Sequence, residues 1–220
     1  MENEKNCIGT SRSPIPPMVV IGIAGGIASG KSLVAGLLQQ LGAANIDVDR
    51  IGHEVLLEQK VKQAIQERWS DDVFDSNGNV NRPALAKIVF DPRHGPLELE
   101  HLERMTHPVI GQHLRQRIGE ISQAGKHPAV VLDAPVMFKA GWDKECDAIL
   151  FVDVPLETRR RRAAVRGWSD EQFAAREAAQ EPVDWKRSRA DCLVDNSGTV
   201  AETELQVREF WNQYVSVAEQ

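Results

Sequence analysis

Val19-Val20-Ile21-Gly22-Ile23-Ala24-Gly25-Gly26-Ile27-Ala28-Ser29-Gly30-Lys31-Ser32 is the stretch that decides how this 220-residue chain folds. Its opening run, residues 19–24, is apolar throughout, the pattern of a short strand covered on both faces. Just after Ser32, Val34, Leu37, Leu38 and Leu41 recur at helical spacing. Between the two patterns, residues 25–32 fit G-x-x-x-x-G-K-[ST] without a mismatch. A strand that enters a glycine turn and leaves as a helix is the geometry of a nucleotide-binding phosphate loop. Glycines let backbone N–H groups turn inward onto phosphate oxygens, and the helix N-terminus adds its partial positive charge. Lys31 can then reach the β- and γ-phosphates, and the Ser32 hydroxyl can ligate Mg²⁺. The plain alternative, a glycine-rich turn without a ligand, does not explain the flanking elements.

Working outward, the phosphate-loop helix is predicted to stop near Gly42, and residues 43–47 form a second strand with Asp47 at its carboxyl end. Buried-strand patterns return at 129–133 and 148–152, with 192–194 as a weaker fifth. Strands alternating with helices predict an α/β fold, a five-stranded parallel sheet between helical layers, with ligands at its carboxyl edge. Residues 50–126 carry little strand signal and much helix-compatible sequence, punctuated by Asn77-Gly78-Asn79, Asp91-Pro92 and Gly95-Pro96. The expected organisation is a disordered tail over 1–17 and one kinase-type domain over 18–220. Within it, 18–54, 127–154 and 190–220 form the core, 55–126 a helical acceptor-binding insertion over the sheet's carboxyl edge, and 155–189 a helical lid.

Composition bounds the function. Hydrophobic residues make up 42% and charged residues 26%, ordinary for a soluble globular protein, and no apolar run approaches the ~18 residues of a membrane span. A formal charge of −6 argues against general nucleic-acid binding, although a small anionic ligand needs only a local basic pocket. Cys7, Cys146 and Cys192 are odd in number and contain no C-x-x-C pair, so reduced thiols in a cytoplasm fit best. His101, His107 and His113 show no metal-like grouping and read as surface or structural groups. The expected partners are small molecules, with no nucleic acid and no membrane, and the expected assembly is a monomer or a weak homo-oligomer.

The lid segment holds nine basic residues against six acidic ones, a local surplus inside an acidic chain. Of its four consecutive arginines, Arg159 and Arg162 share a helix face with Arg166, a row of guanidiniums able to close over a triphosphate. Arginine forks match phosphate oxygens and neutralise a transferring phosphoryl group, which favours Arg162 and then Arg166 as ATP-binding residues. Asp47 and Asp49 flank Val48. Asp47 is placed to hold Mg²⁺ or to take a proton from an acceptor hydroxyl, whereas Asp49 suits a cap for a helix starting near Arg50. Asp133, at the end of the third strand, either supplies a second Mg²⁺ carboxylate or does not; the nearby Pro135 leaves both open.

With these elements in place, the sequence from about Val19 to Gly198 resembles the dephospho-coenzyme A kinase family. Residues 25–32 resemble its glycine loop, and Ile46-Asp47-Val48-Asp49-Arg50-Ile51-Gly52-His53 its second motif. Gly78 with Arg82, Leu85 and Phe90, then His107-Pro108, Pro135-Val136-Met137-Phe138, and the frame Arg162, Arg166, Arg176 and Gln180 are also similar. Lys186, Ala190-Asp191 and Asn196-Ser197-Gly198 are similar to its closing motif, near the adenine. The resemblance implies transfer of the ATP γ-phosphoryl group to the 3′-hydroxyl of dephospho-CoA, the last step of coenzyme A synthesis. It implies Lys31, Arg162 and Asp47 as catalytic residues, and Ser32 with Asp47 at Mg²⁺. ATP would be bound by Gly25, Gly26, Ile27, Ala28, Ser29, Gly30, Lys31, Ser32, Leu33, Arg162, Arg166 and Asn196. The acceptor would meet Asp47, His53, Arg82, His107 and Pro135. Leu33, Val48 and Lys139 depart from the family's usual Thr, Ala and Glu, the last of them changing a charge on the acceptor side.

Two other readings share parts of this pattern. A nucleoside monophosphate or other metabolite kinase would also have a phosphate loop, an insertion and an arginine lid, and the Asp47-Val48-Asp49 pair weighs against it. A nucleotide switch would bind without transferring, and no Asn-Lys-x-Asp guanine-reading segment is present.

Overall fold

The structure, a computed structural model, describes residues 18–91 and 93–216. The tail expected over 1–17, and Cys7 with it, lies outside the described residues. Five strands, β1 (Val19–Gly25), β2 (Ala44–Asp47), β3 (Ala129–Asp133), β4 (Ala148–Asp153) and β5 (Cys192–Asp195), form one sheet in the order β2-β3-β1-β4-β5. Every pairing in it is parallel. β1 lies at the centre and all of its residues are buried, the reason its sequence is apolar without alternation.

Helix α1 (Lys31–Gln40) and the last helix of the chain cover one face of the sheet. Val34, Leu37 and Leu38 of α1 meet Val207, Phe210 and Trp211 over Val19, Ile21, Ile23, Val131 and Leu150. Alternation along β1 turns Gly22 to the other face. A Cβ at Gly22 would lie 2.8 Å from the Cys146 sulfur and 2.9 Å from the Met137 sulfur, so only glycine lets these two side chains close on the strand. Cys146 and Cys192 are both buried.

The chain divides into two compact units, one running to Asp47 and resuming at Arg117, the other Val48–Gln116. The second unit contains α2 (Val48–Val55), α3 (Gln59–Trp69), α4 (Arg82–Val89) and most of α5 (Gly95–Ala124). Its helices are interrupted around Asn77-Gly78-Asn79 and again between α4 and α5, and among its described residues the strand pairing is an isolated bridge between Phe74 and Val80. Helix α2 begins at Val48, so Asp49 lies inside its first turn rather than ahead of a helix starting near Arg50. Beyond β4 come α6 (Leu156–Val165), α7 (Asp170–Ala178) and α8 (Val183–Arg187), and after β5 the final helix α9 (Val200–Tyr214). Helix α9 opens on a capping box, Thr199 accepting from the Glu202 N–H while the Glu202 carboxylate accepts from the Thr199 N–H. Among the described residues no helix is long and apolar enough to cross a membrane.

Candidate active site

The glycine turn forms as its spacing predicts. The Ser29 N–H returns to the Gly26 carbonyl at 3.2 Å, and the Leu33 and Val34 N–H groups to the Gly30 carbonyl at 3.0 and 3.3 Å. Gly30 has φ 93°, and a Cβ there would collide with the Asn196 amide. Ala28 also takes a left-handed conformation, φ 59°, although it is not glycine. The Ser29 hydroxyl is buried and, among the described residues, without a hydrogen-bond partner.

The loop is braced from the edge strand β5. Asn196, 3% exposed at the end of β5, donates from Nδ2 to the Ser29 carbonyl at 2.7 Å, while its Oδ1 accepts from the Thr203 hydroxyl at 2.9 Å. Arg162 of α6 reaches the same place, donating to the Ser29 carbonyl at 3.3 Å and to the Asn196 carbonyl at 2.7 Å. Both acceptors are neutral, so these bonds leave the guanidinium charge uncompensated. Arg166 is exposed at the C-cap of α6. Arg159, which the spacing put in the same row, is 4% exposed and donates to Glu177 at 2.7 and 2.8 Å. That ion pair takes Arg159 out of the row expected along this helix face, which leaves Arg162 and Arg166.

Lys31, Pro135 and Phe138 line one cleft with Gly25, Gln180 and Lys186. Burial holds the Lys31 ammonium below its ordinary 10.5, opposed by the carboxylates of Asp133 and Glu177 and reinforced by Arg159 and Arg166. Lys186, 3% exposed, donates to the Gly25 carbonyl at 3.3 Å and to the Gln180 side chain at 2.9 Å. It too is lowered, first by burial and then by the Lys31 charge. Between the lowered values and 10.5 the unfolded chain binds more protons at these two lysines than the folded one. Their contribution to stability therefore rises with pH through that window. ATP affinity should move the opposite way, because a triphosphate favours the charged lysine. The thermal shift produced by ATP is expected to shrink as pH climbs toward 10.5, read by melting curves with and without nucleotide; a shift that stays constant across the range would remove Lys31 from the phosphate site.

At the carboxyl edge, β2, β3, β4 and β5 each end in aspartate, Asp47, Asp133, Asp153 and Asp195. Asp153 is paired with Arg187 at 3.0 Å, and Asp195 accepts from the Ser197 N–H at 2.8 Å. Asp47 and Asp133 are register partners on neighbouring strands, and the charge of Asp133 acts on Lys31. Ser32, in the first turn of α1, is exposed. Hydroxyl and carboxylate oxygens are the hard donors Mg²⁺ takes. Among the described residues no group of three or more His, Cys, Asp or Glu could hold a metal alone. These donors fit an ion shared with phosphate oxygens.

Of the expected site residues, 25–33, Asp47, Pro135, Arg162, Arg166 and Asn196 lie in the unit that contains the sheet. His53, Arg82 and His107 lie in the other, on α2, α4 and α5. His53 is exposed; Arg82 opens α4 beside its Asn81 cap and lines a surface groove with Asp75 and Val80. Lys139 is exposed in the turn after β3. Sequence reasoning did not single out Glu177 or Thr203. No spacing rule joins Glu177 to Arg159 across a helix break, and Thr203 reads simply as an ordinary helix residue.

The family model described as dephospho-CoA kinase matches residues 19–202, spanning the phosphate loop, both aspartates and the Asn196 brace. The chain belongs to the dephospho-CoA kinase family. Curated dephospho-CoA kinases agree. That of Symbiobacterium thermophilum is 38% identical over 196 residues, 88% of this chain and 80% of the relative. That of Syntrophotalea carbinolica is 38% identical over 192 residues, 86% and 89% of the two chains. The crystal structure of TT1252 from Thermus thermophilus superposes with a TM-score of 0.73 at 32% identity, covering 93% of this chain and 98% of that one. Dephospho-CoA kinase from Campylobacter jejuni, at 20% identity and TM-score 0.61 over 91% and 100% of the two chains, shares the fold. Membership in a kinase family makes ATP the co-substrate.

Proposed function

We propose that this chain transfers the γ-phosphoryl group of ATP to the 3′-hydroxyl of dephospho-CoA, giving coenzyme A and ADP, the final step of coenzyme A synthesis. The observation that carries the reading is the braced phosphate loop with Lys31 and Pro135 in one cleft, in a chain of this family. The loop N–H groups at the head of α1 hold phosphate oxygens, and Lys31 and Arg162 neutralise charge as the phosphoryl group moves. Asp47 orients the acceptor hydroxyl or takes its proton as the oxygen bonds to phosphorus and the bond to ADP breaks. Ser32 and Asp47, with Asp133 beside them, would hold Mg²⁺, which supplies further neutralisation of the triphosphate. Arg166 and Asn196 complete the ATP side. His53, Arg82 and His107, with the 55–126 insertion, supply acceptor contacts, and 155–189 acts as a lid. Such an enzyme works in the cytoplasm as a monomer or weak homo-oligomer and needs neither nucleic acid nor membrane.

The test is ADP release from ATP with Mg²⁺, with and without dephospho-CoA, and the product identified by mass. Acceptor-dependent turnover to coenzyme A is the expected result. Turnover with other hydroxyl acceptors and none with dephospho-CoA would overturn the assignment.

A further inference from the structure

Ile27, inside the phosphate loop, has both of its backbone polar groups held by side chains from elsewhere in the chain. Its N–H donates to the Glu177 carboxylate at 3.3 Å, and its carbonyl accepts from Arg159 Nη1, also at 3.3 Å. The two side chains are bonded to each other, and Arg159 Nε donates to the Val154 carbonyl at 3.2 Å, between β4 and α6. The guanidinium also rests against the loop itself: a Cβ at Gly26 would lie 2.6 Å from Nη1. Phe173 of α7 closes over it, its ring centre 5.8 Å from Cζ.

An ion pair this buried, with side-chain exposures of 5% and 25%, contributes little net stability, since desolvation offsets its attraction. What its geometry supplies is orientation. We propose that Arg159 and Glu177 are a positioning pair for the phosphate loop, fixing the two peptide units that flank the Ile27 Cα, one through the Ile27 N–H and the other through its carbonyl, and so setting the loop shape that ATP meets. The pair ties that shape to α6 and α7, the segments in which its two members lie. Glu177 also sits among cations: besides Arg159, its charge acts on both Lys31 and Lys186. Without it the Ile27 N–H loses its acceptor, and the buried guanidinium loses its counter-charge.

The inference rests on reading the loop as an ATP site, so direct titration of ATP without acceptor is measured first, followed by both KM values. Glu177→Ala is expected to raise the ATP Kd and KM about tenfold while the dephospho-CoA KM stays within about twofold. Glu177→Gln, which keeps an acceptor oxygen for the Ile27 N–H, recovers most of the affinity. Arg159→Lys loses affinity although it keeps the charge, because one ammonium cannot serve Val154, Ile27 and Glu177 together. A wild-type ATP Kd in a cooperatively unfolding Glu177→Ala protein, or equal rises in both KM values, overturns the pair. Should Glu177→Ala not fold, wild-type ATP Kd values in both Glu177→Gln and Arg159→Lys, where Arg159→Lys is expected to lose affinity, overturn it equally. Wild-type protein that fails to bind ATP overturns the loop reading and the pair with it.

Discussion

Lys31→Ala is expected to lower kcat/KM for ATP by about 10³-fold or more, with ATP binding weakened alongside turnover. The ammonium lies in the cleft with Pro135 and Phe138, in surroundings that depress its pKa by burial. A charge partly withdrawn from water acts on phosphate more strongly than one in bulk solvent. In the proposed mechanism it would meet the triphosphate in the ground state and gain as charge shifts during transfer, so both parameters would suffer. Neighbouring cations do not replace it. Lys186 is committed to the Gly25 carbonyl and Gln180, and Arg159 to Glu177. Steady-state kinetics with direct ATP titration are the check, and an unaltered rate would mean that the phosphate loop is not where transfer occurs.

Asp47→Asn should produce a different signature, a fall in kcat of about 10²-fold with the ATP Kd close to wild type. The amide keeps the size and planar shape of the side chain at the end of β2 but removes its charge and basicity. The phosphate loop is built by β1, α1, Arg162 and Asn196, none of which the exchange alters. Single-turnover rates at saturating ATP, compared with equilibrium ATP binding, separate the two parameters. Near-normal turnover would remove Asp47 from the mechanism.

The contrast between these two residues shows what could be read from the chain before its structure. Lys31 and Ser32 are legible because a fixed spacing, an apolar strand and a helical repeat coincide around them. Asp47 is legible because a strand pattern stops there, and the same rule finds Asp133. The sheet follows from the same signal, and even β5, only four residues long, carries it through Cys192, Leu193 and Val194. Arginine spacing was less informative. Arg159, Arg162 and Arg166 share a helix face, yet one is buried in an ion pair, one braces carbonyls and one is exposed. Helical periodicity assigns a direction to a side chain but not the partner waiting there, and Glu177 comes from another helix. Asn196 and Lys186 carry a motif's resemblance without its geometry. Their polar atoms turn out to hold the backbone of Ser29 and Gly25.

Ala28 holds a left-handed backbone that costs an L-residue about 1–2 kcal/mol and that glycine would adopt freely. Alanine also leaves the unfolded chain fewer conformations at this point than glycine would. The loop thus gives up its freedom while the protein folds, before any nucleotide arrives. For the proposed ATP site this means a loop already shaped by folding, so less of the contact energy would go into ordering it and more would appear as affinity.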